Sequence, residues 1–368
     1  MRHQCRAQSG KMHHAVGLPH LHIELWHHIA SYCDDRTVLR LRLLSRFFCE
    51  VFSHTAFWNA RLRSTILALH ATDTHRFDPL ARLSIADRWC RSLCSDELAI
   101  DLRRRHLPWM LVCEDDLWVS SGSWITRSAL PRGRSGKPGR RQLILRARPV
   151  DDGFCRFVVK NGILATGART GRVIVQRLAD SGEASPVSVT CHSSDVHSVD
   201  WLQDSILVSG SRDASIKINS MVSCGDREKL QERATIHVRD RIWSICGHEN
   251  TAYAGTAACR SVDPVLIIDV DRAEITGPLY ERSRLGAGVL HMTMEPENRC
   301  LITGGYDTYV RLWDLRTRHN VMCWEEPFDN GIYSLASDGN NSVLVGTSRF
   351  GLVWAADKRK SQFIQDTD

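Results

Sequence analysis

A run near the end of the chain, residues 301–316 (LITGGYDTYVRLWDLR), holds two strand-like segments, LITGG and YVRLWDL. A tight Tyr-Asp-Thr turn joins them, and Trp313-Asp314 closes the second. Weaker copies of this wording recur along the chain: GILATGARTGRVIVQ at 162–176, DSILVSGSRDASIKIN at 204–219, ENTAYAGTAACRSVDPVLIIDV at 249–270 and NSVLVGTSRFGLVWAAD at 341–357. The glycine ending the first segment of each falls at Gly167, Gly210, Gly255, Gly304 and Gly346, giving steps of 43, 45, 49 and 42 residues. One further pair, WMLVCEDDLWVSSGSWITRSAL at 109–130, places Gly122 45 residues before Gly167. Six such pairs follow one another, each two β-rich runs around a turn.

A step of ~40–45 residues closed by Trp-Asp marks the blade of a β-propeller. The chain here resembles the WD-repeat proteins, and Leu107-Pro108-Trp109 marks its entry into the propeller. Most such propellers have seven blades, closed on themselves to remove edge strands. Only 14 residues follow Trp354, so six units imply either a ring of six or a seven-bladed ring lacking one blade.

Family residues fit in two units. In one, His192 leads through Val196 and Val199 to Ser209 and Asp213, with Asn219 where a tryptophan belongs. In the other, Thr303, Asp307 and Trp313 match and the histidine is missing. The resemblance implies that these side chains bond in series and pin a turn; they are structural, not a catalytic triad. It also implies that the residue before the turn aspartate points onto one face of the ring. That residue is Arg169 (Thr170 stands in the aspartate's place), Arg212 and Tyr306, and Arg241, ahead of Ile242-Trp243, joins them. Arginines and aromatics are the residues of interface hot spots, and a guanidinium grips phosphate in bidentate fashion. A protein substrate, phosphorylated or unmodified, is the ligand this face implies.

Composition narrows the remainder. With 43% hydrophobic and 24% charged residues, the 368-residue chain reads as a soluble globular protein. No run reaches the ~18 apolar residues of a membrane span. The opening MRHQCRAQSGKMHHAVG lacks the apolar core of a secretory signal, so a cytoplasmic or nuclear protein is expected. Thirteen cysteines, irregularly spaced, read as small hydrophobes in a reducing compartment. Cys90 and Cys94 have no second ligand pair nearby, and no metal is expected. The basic stretch 127–148 has no acid and no aromatic to stack bases, so it reads as a solvated loop rather than a nucleic-acid site. No carboxylate pair, nucleophile motif or phosphate-binding loop points to an enzyme or a cofactor.

Before the repeats the chain changes in kind. Residues 21–62 contain no glycine or proline, and Leu21, Leu25, Ile29 and Tyr32 follow at helical spacing. Asp34-Asp35 caps a second helix carrying Val38, Leu39, Leu41, Leu43 and Leu44. Phe47, Phe48, Val51 and Phe52 make a third, followed by Phe57-Trp58 and Leu62. LHIELWHHIASYC, LLSRFFCEV and FWNARL resemble an F-box in order and length, although His22, Cys33, Ser45 and Phe48 depart from its usual wording.

An F-box beside such an array is similar to the F-box/WD-repeat family. The resemblance implies a substrate receptor of a Skp–cullin–F-box ubiquitin ligase, itself non-catalytic. Its adaptor would dock on Leu21, Leu25, Ile29, Phe47, Phe57 and Trp58, and bring the cullin scaffold with it. The rival is a WD-repeat scaffold whose helices cap the ring or dock another protein; an exposed apolar patch on those helices favours the receptor. The expected organisation is a multidomain chain: a disordered tail (1–17), an all-α F-box-like domain (18–63), a helical linker (64–106) and an all-β propeller (107–368).

Overall fold

The repeating glycine is where one sheet lets the next approach. In the structure, a computed structural model, a Cβ on Gly167 would lie 2.3 Å from the Val196 carbonyl oxygen, and one on Gly210 2.4 Å from Ile242 Cγ2. On Gly255 it would meet the Val289 carbonyl at 2.8 Å, and on Gly304 the Ile332 Cγ2 at 2.5 Å. Val196, Ile242, Val289 and Ile332 each open the first strand of the following sheet, and all four are buried. The sequence repeat is therefore a packing repeat.

The structure describes residues 21–62, 65, 79–90, 108–113, 115–130, 139–178, 185–203, 205–224, 227–259, 262–279, 286–295, 297, 299–349, 353–361 and 363. The 1–17 tail, Cys94 and most of the 64–106 linker lie outside them. The chain divides after Asp87 into two compact units.

The second unit is a six-bladed propeller. Four-stranded antiparallel meanders span 109–146, 154–190, 196–237, 242–278 and 289–325, and a three-stranded one spans 332–357. They are called blades one to six below. The first strand of each blade packs beside that of the next, from Trp109–Cys113 round to Ile332–Ser337. All six line one central cavity, and the described residues form no seventh blade. Blade six ends on Val353–Asp357, where Ala356 bridges Phe363 and the Lys360 carbonyl accepts the Trp324 indole N–H at 2.8 Å.

In blades two to six a register shift falls at the start of the inner strand. Such a bulge re-aims the side chain it frees. The residues affected are Cys155, His197, Trp243, Leu290 and Tyr333.

Two expectations are corrected. Gly122 is not the equivalent of Gly167: the fifth residue of each second strand is Gly167, Gly210, Gly255, Gly304 or Gly346, and in Asp116–Ser121 it is Ser120. Gly122 sits two residues later, in a turn at φ +60°. Nor is 127–148 one solvated loop. Arg127 ends an ion pair with Asp116, and Gln142–Arg146 is the outer strand of blade one, with only 131–138 outside the described residues. The short apolar run Leu143-Ile144-Leu145 carries that strand, and the arginines on either side of it, Arg140, Arg141 and Arg146, hide it.

Among the described residues ahead of the propeller stand five helices: α1 (Ile23–Ser31), α2 (Asp35–Leu44), α3 (Arg46–Val51), α4 (Thr55–Leu62) and α5 (Pro79–Cys90), the last crossing the division after Asp87. The Asp34 carboxylate accepts from the Thr37 N–H at 2.9 Å and the Ser45 hydroxyl from the Phe48 N–H at 3.2 Å, capping α2 and α3. The core joins Ala30, Val38, Phe52, Phe57, Trp58 and Leu62 with Leu83 of α5. Arg61 ties the first two helices together. It donates to the carbonyls of Ala30 (2.9 Å) and Cys33 (2.7 Å) and pairs with Asp35.

Candidate functional site

The stripe that predicts α1 faces solvent. Leu25 is 49% exposed, Ile29 46% and Tyr32 80%, while Ile23, Trp26 and Ala30 turn to the core. Leu43, Leu44 and Phe47 are also exposed, and the Phe47 ring meets Trp26 edge-on at 5.9 Å. Leu21 is half-buried. Apolar surface of this extent is a candidate docking face.

Phe57 and Trp58 do not belong to that face. They are 5% and 3% exposed, and the Trp58 indole N–H donates to the Phe52 carbonyl at 2.7 Å. They sit on α4 against Phe52 and His27 rather than on a free surface. An aromatic pair gives no sign of this in sequence, because burial and docking demand the same residue types. Tyr32, Leu39, Leu43 and Leu44 are exposed residues of α1, α2 and the turn after α1 that the sequence analysis did not assign to the docking face.

On the propeller, one backbone bond recurs. The N–H just past the second strand donates to the carbonyl just ahead of the inner strand: Arg212 to Asp195 (2.9 Å), Tyr306 to Gly288 (2.9 Å) and Arg169 to Gly153 (3.3 Å). Arg169, Arg212 and Tyr306 thus hold equivalent places on one rim. Ala257, which donates to the Arg241 carbonyl at 3.1 Å, fills that place in blade four. Arg241 lies beside it, exposed, on the facing segment.

The bulged residues sit next to this rim. His197 stacks on Trp243 with centroids 4.5 Å apart, and Tyr306 meets Tyr333 edge-on at 6.2 Å. Burial drives the His197 pKa down to about 4 against the pull of Asp195, and Arg212 and Arg169 push the same way as burial. Burial, with the hydrogen bond that the Tyr306 hydroxyl gives to Tyr333, raises that hydroxyl to about 12. Arg212 and Asp195 approach to 3.9 Å and remain open to solvent. Sequence reasoning missed His197, Trp243 and Tyr333. The signal was there: each follows the buried residue that packs on the preceding blade's glycine.

Behind the rim stand the turn networks. His192 Nε2 lies 2.9 Å from the Ser209 hydroxyl, and Nδ1 lies 3.1 Å from Asp213 Oδ2. Asp213 also accepts the N–H groups of Ser193 (2.9 Å) and Ser215 (3.0 Å). Ser209 is fully buried, so no substrate reaches it as a nucleophile. Asn219, in the tryptophan's place, is fully buried with both amide atoms unpartnered. In blade five the Trp313 indole N–H donates to the Thr303 hydroxyl at 2.9 Å, and Arg311 grips Asp307 in the absent histidine's stead. Among the described residues, no three His, Cys, Asp or Glu side chains group as a metal site.

Residues 185–220 and 282–314 match the family of the WD domain, G-beta repeat. These spans cover blades three and five in part, the two that hold the turn residues His192, Ser209 and Asp213 and Thr303, Asp307 and Trp313. Over 347 residues the chain is 31% identical to the mouse and human proteins named F-box/WD repeat-containing protein 4, covering 90% of this chain and 80% of each relative. The chain belongs to the F-box/WD repeat family. In this member of the family, blades two, three, four and six keep the fold and the glycine step while losing the signature dipeptide, blade one loses both, and packing rather than wording holds them in register.

Proposed function

We propose that the chain is the substrate-recognition subunit of a Skp–cullin–F-box ubiquitin ligase, working in the cytoplasm or nucleus. The observation that carries this is the exposed Leu25–Ile29–Tyr32 stripe of α1, set opposite Ile23, Trp26 and Ala30, which turn to the core. Leu21, Leu25, Ile29 and Phe47 dock a Skp-type adaptor, and through it the cullin scaffold. The propeller rim of Arg169, Arg212, Arg241 and Tyr306, widened by His197, Trp243 and Tyr333, holds a protein substrate. The chain itself is non-catalytic: it raises the local concentration of substrate lysines near the ubiquitin-carrying enzyme. Co-expression with a Skp-type adaptor tests the proposal. A stoichiometric complex on size exclusion is expected; elution of the chain alone would return it to the scaffold class.

A further inference from the structure

The inner strand of blade two carries a cation without a counter-charge. Arg156, on Phe154–Lys160, sends Nη2 across the channel to donate to the Leu290 carbonyl of blade five at 3.1 Å. Its guanidinium lies over the Trp109 ring, 4.5 Å from the centroid. Among the described residues no carboxylate pairs with Arg156, and its Nε is buried without a partner. Burial lowers its pKa to about 10, which leaves it charged at neutral pH.

Lys160, on the same strand, is treated differently. It pairs with Asp200 at 2.6 Å and donates to the Trp201 carbonyl at 2.9 Å. The fold neutralises one channel cation and leaves the other bare.

Arg156 and Trp109 line a cavity of about 950 Å³ that all six inner strands share, a size that admits a small molecule. His291 lines it too. The His291 Nδ1 accepts the Leu335 N–H at 2.8 Å, so its proton sits on Nε2, and burial keeps the ring neutral. A buried charge left unpaired is unfavourable, and an anion beside it removes the penalty.

We propose that the propeller channel binds an oxyanion, a phosphate or carboxylate borne on a small free molecule, on the Arg156 guanidinium between Trp109 and His291. The site lies inside the ring and is separate from the rim assigned to a protein substrate.

Thermal unfolding of the full chain tests it, titrating inorganic phosphate and citrate at constant ionic strength set with sodium chloride. A saturable rise in melting temperature of about 2–4 °C is expected with phosphate or citrate. Arg156→Gln is expected to abolish the rise and Arg156→Lys to weaken it, while the Arg212→Glu, Tyr306→Ala rim variant keeps it. In buffer free of both anions, wild type and Arg156→Gln are expected to melt together. No saturable rise with either anion overturns the proposal, as does an equal rise in Arg156→Gln, which would report exclusion of salt from the surface. Loss of the rise in the rim variant would move the anion to the rim and overturn it too. Arg156→Gln melting well below wild type without anions would make Arg156 a strut between blades two and five.

Discussion

Arg311 pairs with Asp307 in blade five, and so takes the role that His192 plays towards Asp213 in blade three. The turn carboxylate is the fixed requirement, because it must accept the backbone N–H groups that close the turn, as Asp213 does for Ser193 and Ser215. What neutralises it varies. Both Asp307 and Arg311 are mostly buried, so cutting either removes the ion-pair partner of the other. Asp307→Ala and Arg311→Met are each expected to lower stability by roughly 1–3 kcal/mol, read by denaturant unfolding. Either variant as stable as wild type would remove the pair from the fold's supports.

Adding one methyl to the glycine step is expected to be felt between blades. A Cβ on Gly210 would come within 2.4 Å of Ile242 Cγ2 and 2.9 Å of Ile245 Cγ1. Gly210→Ala should cost about 1–3 kcal/mol by overpacking. Gly277→Ala is the poorer control, since its φ is +150° although nothing lies within 4 Å of the added Cβ. Melting curves of Gly210→Ala superimposing on wild type would refute the close packing.

Asn219 makes the opposite prediction. Its amide is buried in blade three with no partner, where blade five has an indole bonded to Thr303. Replacing an unsatisfied polar group by an apolar one of similar size removes a desolvation penalty. Asn219→Leu is expected to raise stability by about 1 kcal/mol. A clear drop in the unfolding midpoint would show that the amide is bonded in solution.

The propeller should weaken in mild acid. Burial holds His197 neutral down to about pH 4 and also lowers His192 and His291. In the unfolded chain each takes up a proton near pH 6.5, about where free imidazole titrates. As pH falls below that value the unfolded state gains protons that the fold refuses, so stability complete above ~6.5 drains towards ~4. Asp213 acts lower down: burial raises its pKa, but bonds from Ser215 and Ser193 bring it below the ordinary carboxylate value. The melting temperature is expected to fall between pH 7 and 4.5, less steeply in His197→Gln. A flat profile over that range in wild type would contradict the buried, neutral histidines.

The propeller was legible because its signal is redundant. Five glycines at a nearly fixed step survive the loss of histidine, aspartate or tryptophan from single blades: Gly167, Gly210, Gly255 and Gly304 each answer to a steric contact with the next inner strand, and Gly346 to Ser334 of its own. Blade one was misaligned by two residues because Ser120 replaces that glycine and Gly122 offered itself nearby. The docking helices were harder. Helical spacing placed Leu25 and Ile29 on one stripe, yet periodicity does not say whether a stripe faces a core or a partner. The F-box resemblance implies an adaptor face that includes Phe57 and Trp58, yet both lie inward, because burial and docking demand the same residue types. Rim residues ahead of the turns were readable from the repeat, whereas His197, Trp243 and Tyr333 depend on a bulge that no residue type announces.

The central claim rests on Leu25 and Ile29, and calorimetric titration of a Skp-type adaptor into the full chain tests it most directly. The Leu25→Lys, Ile29→Lys variant should melt like wild type, because both side chains are exposed. Its affinity for the adaptor is expected to fall by about 100-fold or more, as for loss of two apolar anchors. Binding of the adaptor equally by both proteins, or by neither, would contradict the receptor assignment.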